Sequence, residues 1–129
     1  MLACLAALAA IPASAGAHGE EELGAEVAAT NGGTRVVGYG RFTTTRRHHR
    51  LYVRVCLQRW LRKRKWDTQK CSRKVVRNAR NETHAVGARC SRDGIYRVRV
   101  WGRTKSSSGR AGHRVDGKSQ AYGIDCKAG

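Results

Sequence analysis

The stretch Cys90-Ser-Arg-Asp-Gly-Ile-Tyr-Arg-Val-Arg-Val100 constrains this chain more than any other. Asp93-Gly94 is a turn dipeptide, since Gly takes backbone angles closed to other residues and Asp bonds its own backbone. From Ile95 the residues alternate, with Tyr96, Val98 and Val100 on one side and Arg97, Arg99 and Trp101 on the other. A period of two belongs to a half-buried strand with its apolar face inward. A tyrosine at the entry of such a strand, just past a tight corner, can bury its ring and bond its hydroxyl back to the corner backbone.

The same period recurs through the rest of the chain. Val36-Val37-Gly-Tyr39-Gly-Arg-Phe42-Thr-Thr-Thr45 has strand composition, and its glycines predict a bulge. Arg46–Arg50 reads as a polar connection. Leu51–Leu57 then places Leu51, Val53, Val55 and Leu57 on one face, with Tyr52, Arg54 and Cys56 on the other. Arg62-Lys63-Arg64-Lys65, four consecutive cations between Trp60 and Trp66, is expected at a hairpin tip that returns through Thr68 to Cys71. Trp66 is expected to plug the core beside this hairpin. Val75-Val76 ends the return strand or begins another, Asn78–Glu82 is turn material, and Thr83–Cys90 forms the next strand. Thr104–Lys118, rich in Ser, Gly, Arg and Lys, reads as a long mobile loop before a last strand at Gln120–Cys126. Six or seven antiparallel strands with no internal repeat predict an all-β, immunoglobulin-like sandwich over residues 34–129.

The N-terminal residues point to an exported protein. Met1 to Ala17 carry no charge, and small residues at Ala13, Ala15 and Ala17 fit signal-peptide cleavage. The run is too short to span a membrane. It lacks a basic segment before its apolar part, so a start codon further upstream is expected. Residues 18–33, with Glu20, Glu21, Glu22 and Glu26 and no Lys or Arg, are expected as a flexible acidic tail, with a short turn of helix at Glu20–Ala29. Removal of Cys4 with the signal leaves Cys56, Cys71, Cys90 and Cys126, an even set that predicts two disulfides in an oxidising compartment. Four cysteines allow three connectivities. Cys56 and Cys71 lie across the predicted hairpin, and Cys90 and Cys126 both phase inward, so Cys56–Cys71 with Cys90–Cys126 is the pairing expected. In the chain-entropy picture these closures are worth roughly 3 and roughly 4 kcal/mol.

Val53-Arg-Val-Cys-Leu-Gln58, Trp66 with Cys71, Cys90 with Gly94-Ile-Tyr96-Arg97, and the terminal Tyr122-Gly-Ile-Asp-Cys126 together resemble a group of small exported proteins of high-GC Gram-positive bacteria. The resemblance covers residues 35–126. It implies a signal peptide, four paired cysteines and an immunoglobulin-like sandwich, and it implies no activity.

Charge is the remaining clue. All 26 Lys and Arg residues lie from Arg35 onward, where the only acids are Asp67, Glu82, Asp93, Asp116 and Asp125. Such a surplus makes a positive field that draws polyanions and anionic surfaces. The candidate anion-binding residues are Arg62, Lys63, Arg64 and Lys65 at the hairpin tip and Arg97 and Arg99 on the strand after Gly94. No two acids share a face as paired acid–base catalysis requires. No C-x-x-C or H-x-x-H pair points to a metal, and Ser106-Ser-Ser-Gly109 lacks the surroundings of a nucleophile elbow. Asn81-Glu-Thr83 is a glycosylation sequon only where the host modifies exported proteins. The expectation is a secreted, non-enzymatic module without cofactor or metal, binding anionic envelope polymers or other polyanions. No specific nucleic-acid signature and no transmembrane segment accompany the mature chain. The alternative is a basic secreted nuclease or toxin using two of His48, His49, His84 and His113.

Overall fold

The structure is a computed structural model that describes residues 21–127. The expected signal peptide with Cys4 and the first residues of the acidic tail lie outside that range. Six antiparallel strands make up the described chain: β1 (Glu21–Thr30), β2 (Arg35–Leu61), β3 (Lys65–Arg89), β4 (Gly94–Lys105), β5 (Val115–Lys118) and β6 (Tyr122–Ile124). A 3-10 turn, Asn31–Gly33, joins the first two.

Two very long strands turn one sheet into two layers. The first half of β2 pairs with β1 and with the second half of β3, and the second half of β2 pairs with the first half of β3 and with β4. β4 carries β5 and β6 on its other edge. The result is an immunoglobulin-like sandwich in which two strands pass continuously from layer to layer. The passage lies where the β2–β3 register breaks, between Thr43 and His48 and opposite Arg80, two residues from Asn78 with its left-handed φ of 50°. Thr44 Oγ1 donates to the carbonyls of Arg46 (2.8 Å) and Arg80 (3.2 Å), and Arg47 donates to Asn78 O at 2.9 Å. Arg46–Arg50 and Asn78–Glu82 are therefore strand residues at a corner, where a connection and a turn were expected. Backbone pairing on both sides of the break keeps them in the strands, with Asn78 as the one left-handed residue among them.

The layers meet through small residues set against large ones. A Cβ on Gly38 would collide with the Val98 side chain; one on Gly40 would lie 2.7 Å from both Val100 and Val55, and one on Gly102 2.6 Å from the Phe42 ring. These glycines sit in regular register, so they serve close approach of the layers and not the bulge expected from sequence. Around them Phe42, Leu51, Val53, Val55, Leu57, Val98 and Val100 are fully buried. Inward Tyr96, Val98 and Val100 follow the expected alternation.

The Asp93–Tyr96 corner is tied from several directions. Tyr96, 4% exposed, donates its hydroxyl to Arg92 O at 2.6 Å. Asp93 Oδ1 accepts from the Cys126 backbone N–H at 2.6 Å, and the Cys90 N–H donates to Thr34 O at 2.8 Å. The disulfides are Cys56–Cys71 and Cys90–Cys126, with Cα separations of 4.1 and 5.3 Å. Cys56 and Cys71 are direct partners across the β2–β3 pairing, while Cys90 and Cys126 join the end of β3 to the segment after β6.

Three further expectations give way. Glu21–Thr30, read as flexible tail and short helix, is strand β1, because it pairs along β2 and buries Leu23 and Val27 while Glu22 stays exposed. Only those two residues mark the pattern, and the acidic composition hides it. Thr104–Lys118 is not one loop: β4 continues to Lys105, and Val115–Lys118 pairs with Arg99–Gly102 with Val115 buried. Trp66 does not enter the core; it is half-buried on the outside of the sheet.

Gly40→Ala should cost about 1–3 kcal/mol in chemical denaturation, as overpacked cores do. Gly123→Ala, where nothing lies within 4 Å of the added Cβ, should stay within about 0.5 kcal/mol. Burial holds the Tyr96 hydroxyl above the ordinary tyrosine range, with the Arg59 charge opposing and Asp93 adding. The folded state therefore keeps a proton that the unfolded chain releases near pH 10, so this part of the stability is present below that pH and lost above it. Tyr96→Phe should remove about 1 kcal/mol at neutral pH and flatten the alkaline fall in stability, measured as denaturation midpoint against pH.

Candidate functional site

Strand pairing decides which side chains share the outer face of the β3–β2–β4–β5 layer, since partners directly opposite point the same way. Tyr52 lies between Val75 and Arg103, Arg54 between Arg73 and Trp101, and Cys56 between Cys71 and Arg99. β5 extends two of these rows, with Asp116 beside Trp101 and Lys118 beside Arg99. Successive rows are two residues apart, about 6.6–6.8 Å.

Cations and rings interleave across this face. The Arg97 guanidinium carbon stands 4.1 Å from the Trp66 ring centroid; those of Arg99 and Arg54 stand 4.7 and 5.3 Å from Trp101. Arg103 lies 5.6 Å from the Tyr52 ring. Each distance is within the range of cation–π attraction. Trp66 in turn meets Trp60 edge-on, centroids 5.1 Å apart. Arg97 Nε donates to Gln58 Oε1 at 2.8 Å, while Gln58 Nε2 donates to Thr68 Oγ1 at 3.3 Å. Arg54 reaches back over the first disulfide, 3.7 Å from Cys71 Sγ. Arg97 is thus held by a ring beneath it and an amide beside it.

The face is electropositive, and its titrating groups register this. Burial first, and then the Arg99 charge, lower the proton affinity of Arg97, which still remains an arginine with a fixed charge in water. The Tyr52 phenol is lowered below the tyrosine range chiefly by its hydrogen bond with Arg50, against a smaller opposing effect of burial, and further by Lys105, Arg50 and Arg103. Asp116 stands 3.8 Å from Arg99 and offsets part of the local charge. A groove of about 230 Å³ opens over Tyr52, Arg54 and Trp101, with Arg73, Arg103 and Arg114 around it.

The six anion-binding candidates fall in two places. Arg97 and Arg99 are on the face. Arg62, Lys63, Arg64 and Lys65 are exposed at the tip of the β2–β3 hairpin, where Lys63 and Arg64 take left-handed φ of 65° and 59°. Trp60 and Trp66 stand between tip and face. Arg54, Arg103 and Tyr52 belong to the same surface and were missed as site residues. Their outward phase was visible in Leu51–Leu57, but the pairing of Arg54 with Trp101 depends on a β2–β4 register that alternation alone does not supply.

The histidines take other positions. His48 is opposite Ala79 at the layer corner, and His113 lies between β4 and β5. His84 Nε2 is 2.7 Å from Ser72 Oγ, and Lys74 Nζ is 3.2 Å from Glu82. Both pairs join the two halves of β3, so they close the open side of the sandwich where its layers lie over one another. Ser106 and Ser108 share a hydrogen bond in a tight turn closed by the Gly109 N–H on Ser106 O. Among the described residues no three His, Cys, Asp or Glu side chains gather as a metal site would need, and no helix is long and apolar enough to cross a membrane.

The chain matches no protein-family model and no curated protein. A spectrophotometric titration should show one phenol ionising at lower pH than an ordinary tyrosine, and Tyr52→Phe should remove that early step while leaving the rest of the curve in place.

Proposed function

We propose that this protein is an exported, non-enzymatic binding module for anionic polymers at the cell envelope or in the medium. The observation that carries this reading is the ordered guanidinium surface of β2 and β4, where rings and an amide hold arginines ready for an anion. Arginine carries its charge at every working pH and meets oxyanions through paired N–H donors. Holding such side chains in place reduces the entropy lost when they bind. The two disulfides support an oxidising compartment. The resemblance to small exported proteins of high-GC Gram-positive bacteria supports the same compartment.

Retention on an immobilised polyanion should fall steeply with salt, because counterion release and screening act on the same contacts. Arg97→Glu with Arg99→Glu should reduce affinity at least tenfold. Reversal of Arg62, Lys63, Arg64 and Lys65 together should weaken binding mainly at low salt, as expected of mobile, fully solvated charges. Asp116→Asn should strengthen it by a small factor. Absence of retention at low salt would rule the reading out. Cleavage of RNA by the purified protein, lost in His84→Ala, would replace it with a nuclease.

A further inference from the structure

One depression on the outer face gathers cations from three strands and a loop. The groove of about 230 Å³ is lined by Arg54, Arg73, Lys74, Arg103 and Arg114, and no carboxylate lines it. Arg73 is the direct partner of Arg54 across β2 and β3, so two arginines leave neighbouring backbone positions on the same face. The Arg54 guanidinium stands 5.3 Å from the Trp101 ring and that of Arg103 5.6 Å from the Tyr52 ring, and both rings line the groove. Of the nearby acids, Glu82 holds Lys74 at 3.2 Å and Asp116 stands 3.8 Å from Arg99. The Tyr52 phenol registers the positive surroundings. Its hydrogen bond with Arg50 lowers it first, burial opposes less, and the charges of Lys105, Arg50 and Arg103 lower it further.

Size and chemistry narrow what fits. At roughly 30 Å³ per water in the liquid, the 230 Å³ corresponds to about eight waters, less than the roughly 300–1,000 Å³ of a site for a drug-sized ligand. One small group fits and a polymer segment does not. Arginine forks meet tetrahedral oxyanions through paired N–H donors. Several guanidinium groups around one such group favour a double charge over a single one, since Coulomb attraction scales with the charge. Val75, half-exposed beside the two rings, adds apolar contact that suits a carbon bound to the oxyanion. Phosphodiesters and sulfate esters carry one negative charge. A phosphate monoester is an organic oxyanion that carries two once its second proton is lost, at about pH 6.

We infer that this groove is a phosphomonoester site, seating one terminal phosphate among Arg54, Arg73, Arg103 and Arg114 with its ester carbon on the apolar wall. This rests on the anion-binding reading of the face and adds a site that selects for the charge of a single group.

Calorimetry in low salt with methyl phosphate, methyl sulfate and inorganic sulfate tests it. At pH 7.5 methyl phosphate should bind at least tenfold more tightly than methyl sulfate, its singly charged analogue. From pH 5 to 7.5 the affinity for methyl phosphate should rise roughly tenfold, as its dianion forms. Inorganic sulfate, doubly charged throughout, is the control. Titration of groups in or beside the groove, namely Tyr52, Lys74, Lys105, His113 and Asp116, would move it equally, and it should change less than twofold. Arg73→Gln and Arg114→Gln should each weaken methyl phosphate about fivefold or more, with the denaturation midpoint checking the fold. Arg92→Gln, exposed before the far end of β4, should cost less than twofold. If the phosphate belongs to a polymer end, a 5′-phosphate should raise the affinity of oligothymidylate at least fivefold. If it belongs to a small ester, the two oligomers bind alike while methyl phosphate keeps its preference. Methyl sulfate bound as tightly as methyl phosphate, or equal losses in the Arg73, Arg114 and Arg92 variants, overturns the inference. So does absence of methyl phosphate binding by a protein still retained on an immobilised polyanion, which leaves the polyanion reading standing. Loss of both overturns both.

Discussion

The structure depends on how closely the two layers approach along β2 and β4. Gly38 and Gly40 leave room that Val98, Val100 and Val55 fill, and Phe42 lies over Gly102 in the opposite sense. Exchange of small for large across the interface fixes the layers in one relative position, since a slip of one residue would set side chain against side chain. That position also fixes the phase of β4. With Val98 and Val100 committed inward, Arg97, Arg99, Trp101 and Arg103 have no choice of face. The cation surface is the outward consequence of a packing decision made inside.

The corner before β4 secures the same phase from its other end. Tyr96 is anchored to Arg92 O, Asp93 holds the N–H of Cys126, and Cys90 is bonded both to Cys126 and, through its backbone, to Thr34. Three segments distant in sequence meet within one corner. The Cys56–Cys71 bond does for the β2–β3 hairpin what this corner does for β4. It lies on the outer face, among the arginines, and leaves the apolar interior to side chains that fill space.

Much of this was legible in the residues. The alternation from Tyr96 to Val100 set inward and outward faces, because it depends on local periodicity, and cysteine phasing favoured, among three connectivities, the two pairs found. What escaped depended on partners. β1 was hidden by its glutamates, since an edge strand needs only Leu23 and Val27 to dock. The corner at Thr43–His48 was hidden because charged residues that pair on both sides remain extended even though their composition resembles a loop. Trp66 was assigned to the core because large rings usually seek burial; a guanidinium above the ring and a second indole beside it supply an alternative cover. The union of Arg54 with Trp101 follows from strand register, and register is set by the layers together.

A surface of this kind works against the fold that carries it. Arg97 and Arg99 are two residues apart on one face; burial first, and then the Arg99 charge, lower the proton affinity of Arg97. Neighbouring like charges on a sheet are destabilising. The aromatic rings offset part of this by giving each guanidinium a negative quadrupole to lie on, and Asp116 offsets more beside Arg99. The two disulfides lower the entropy of the unfolded chain without touching the charges. On the proposed reading, a polyanion brings opposite charge to the face and relieves this repulsion, and a ligand taken only by the folded chain raises its apparent stability by mass action.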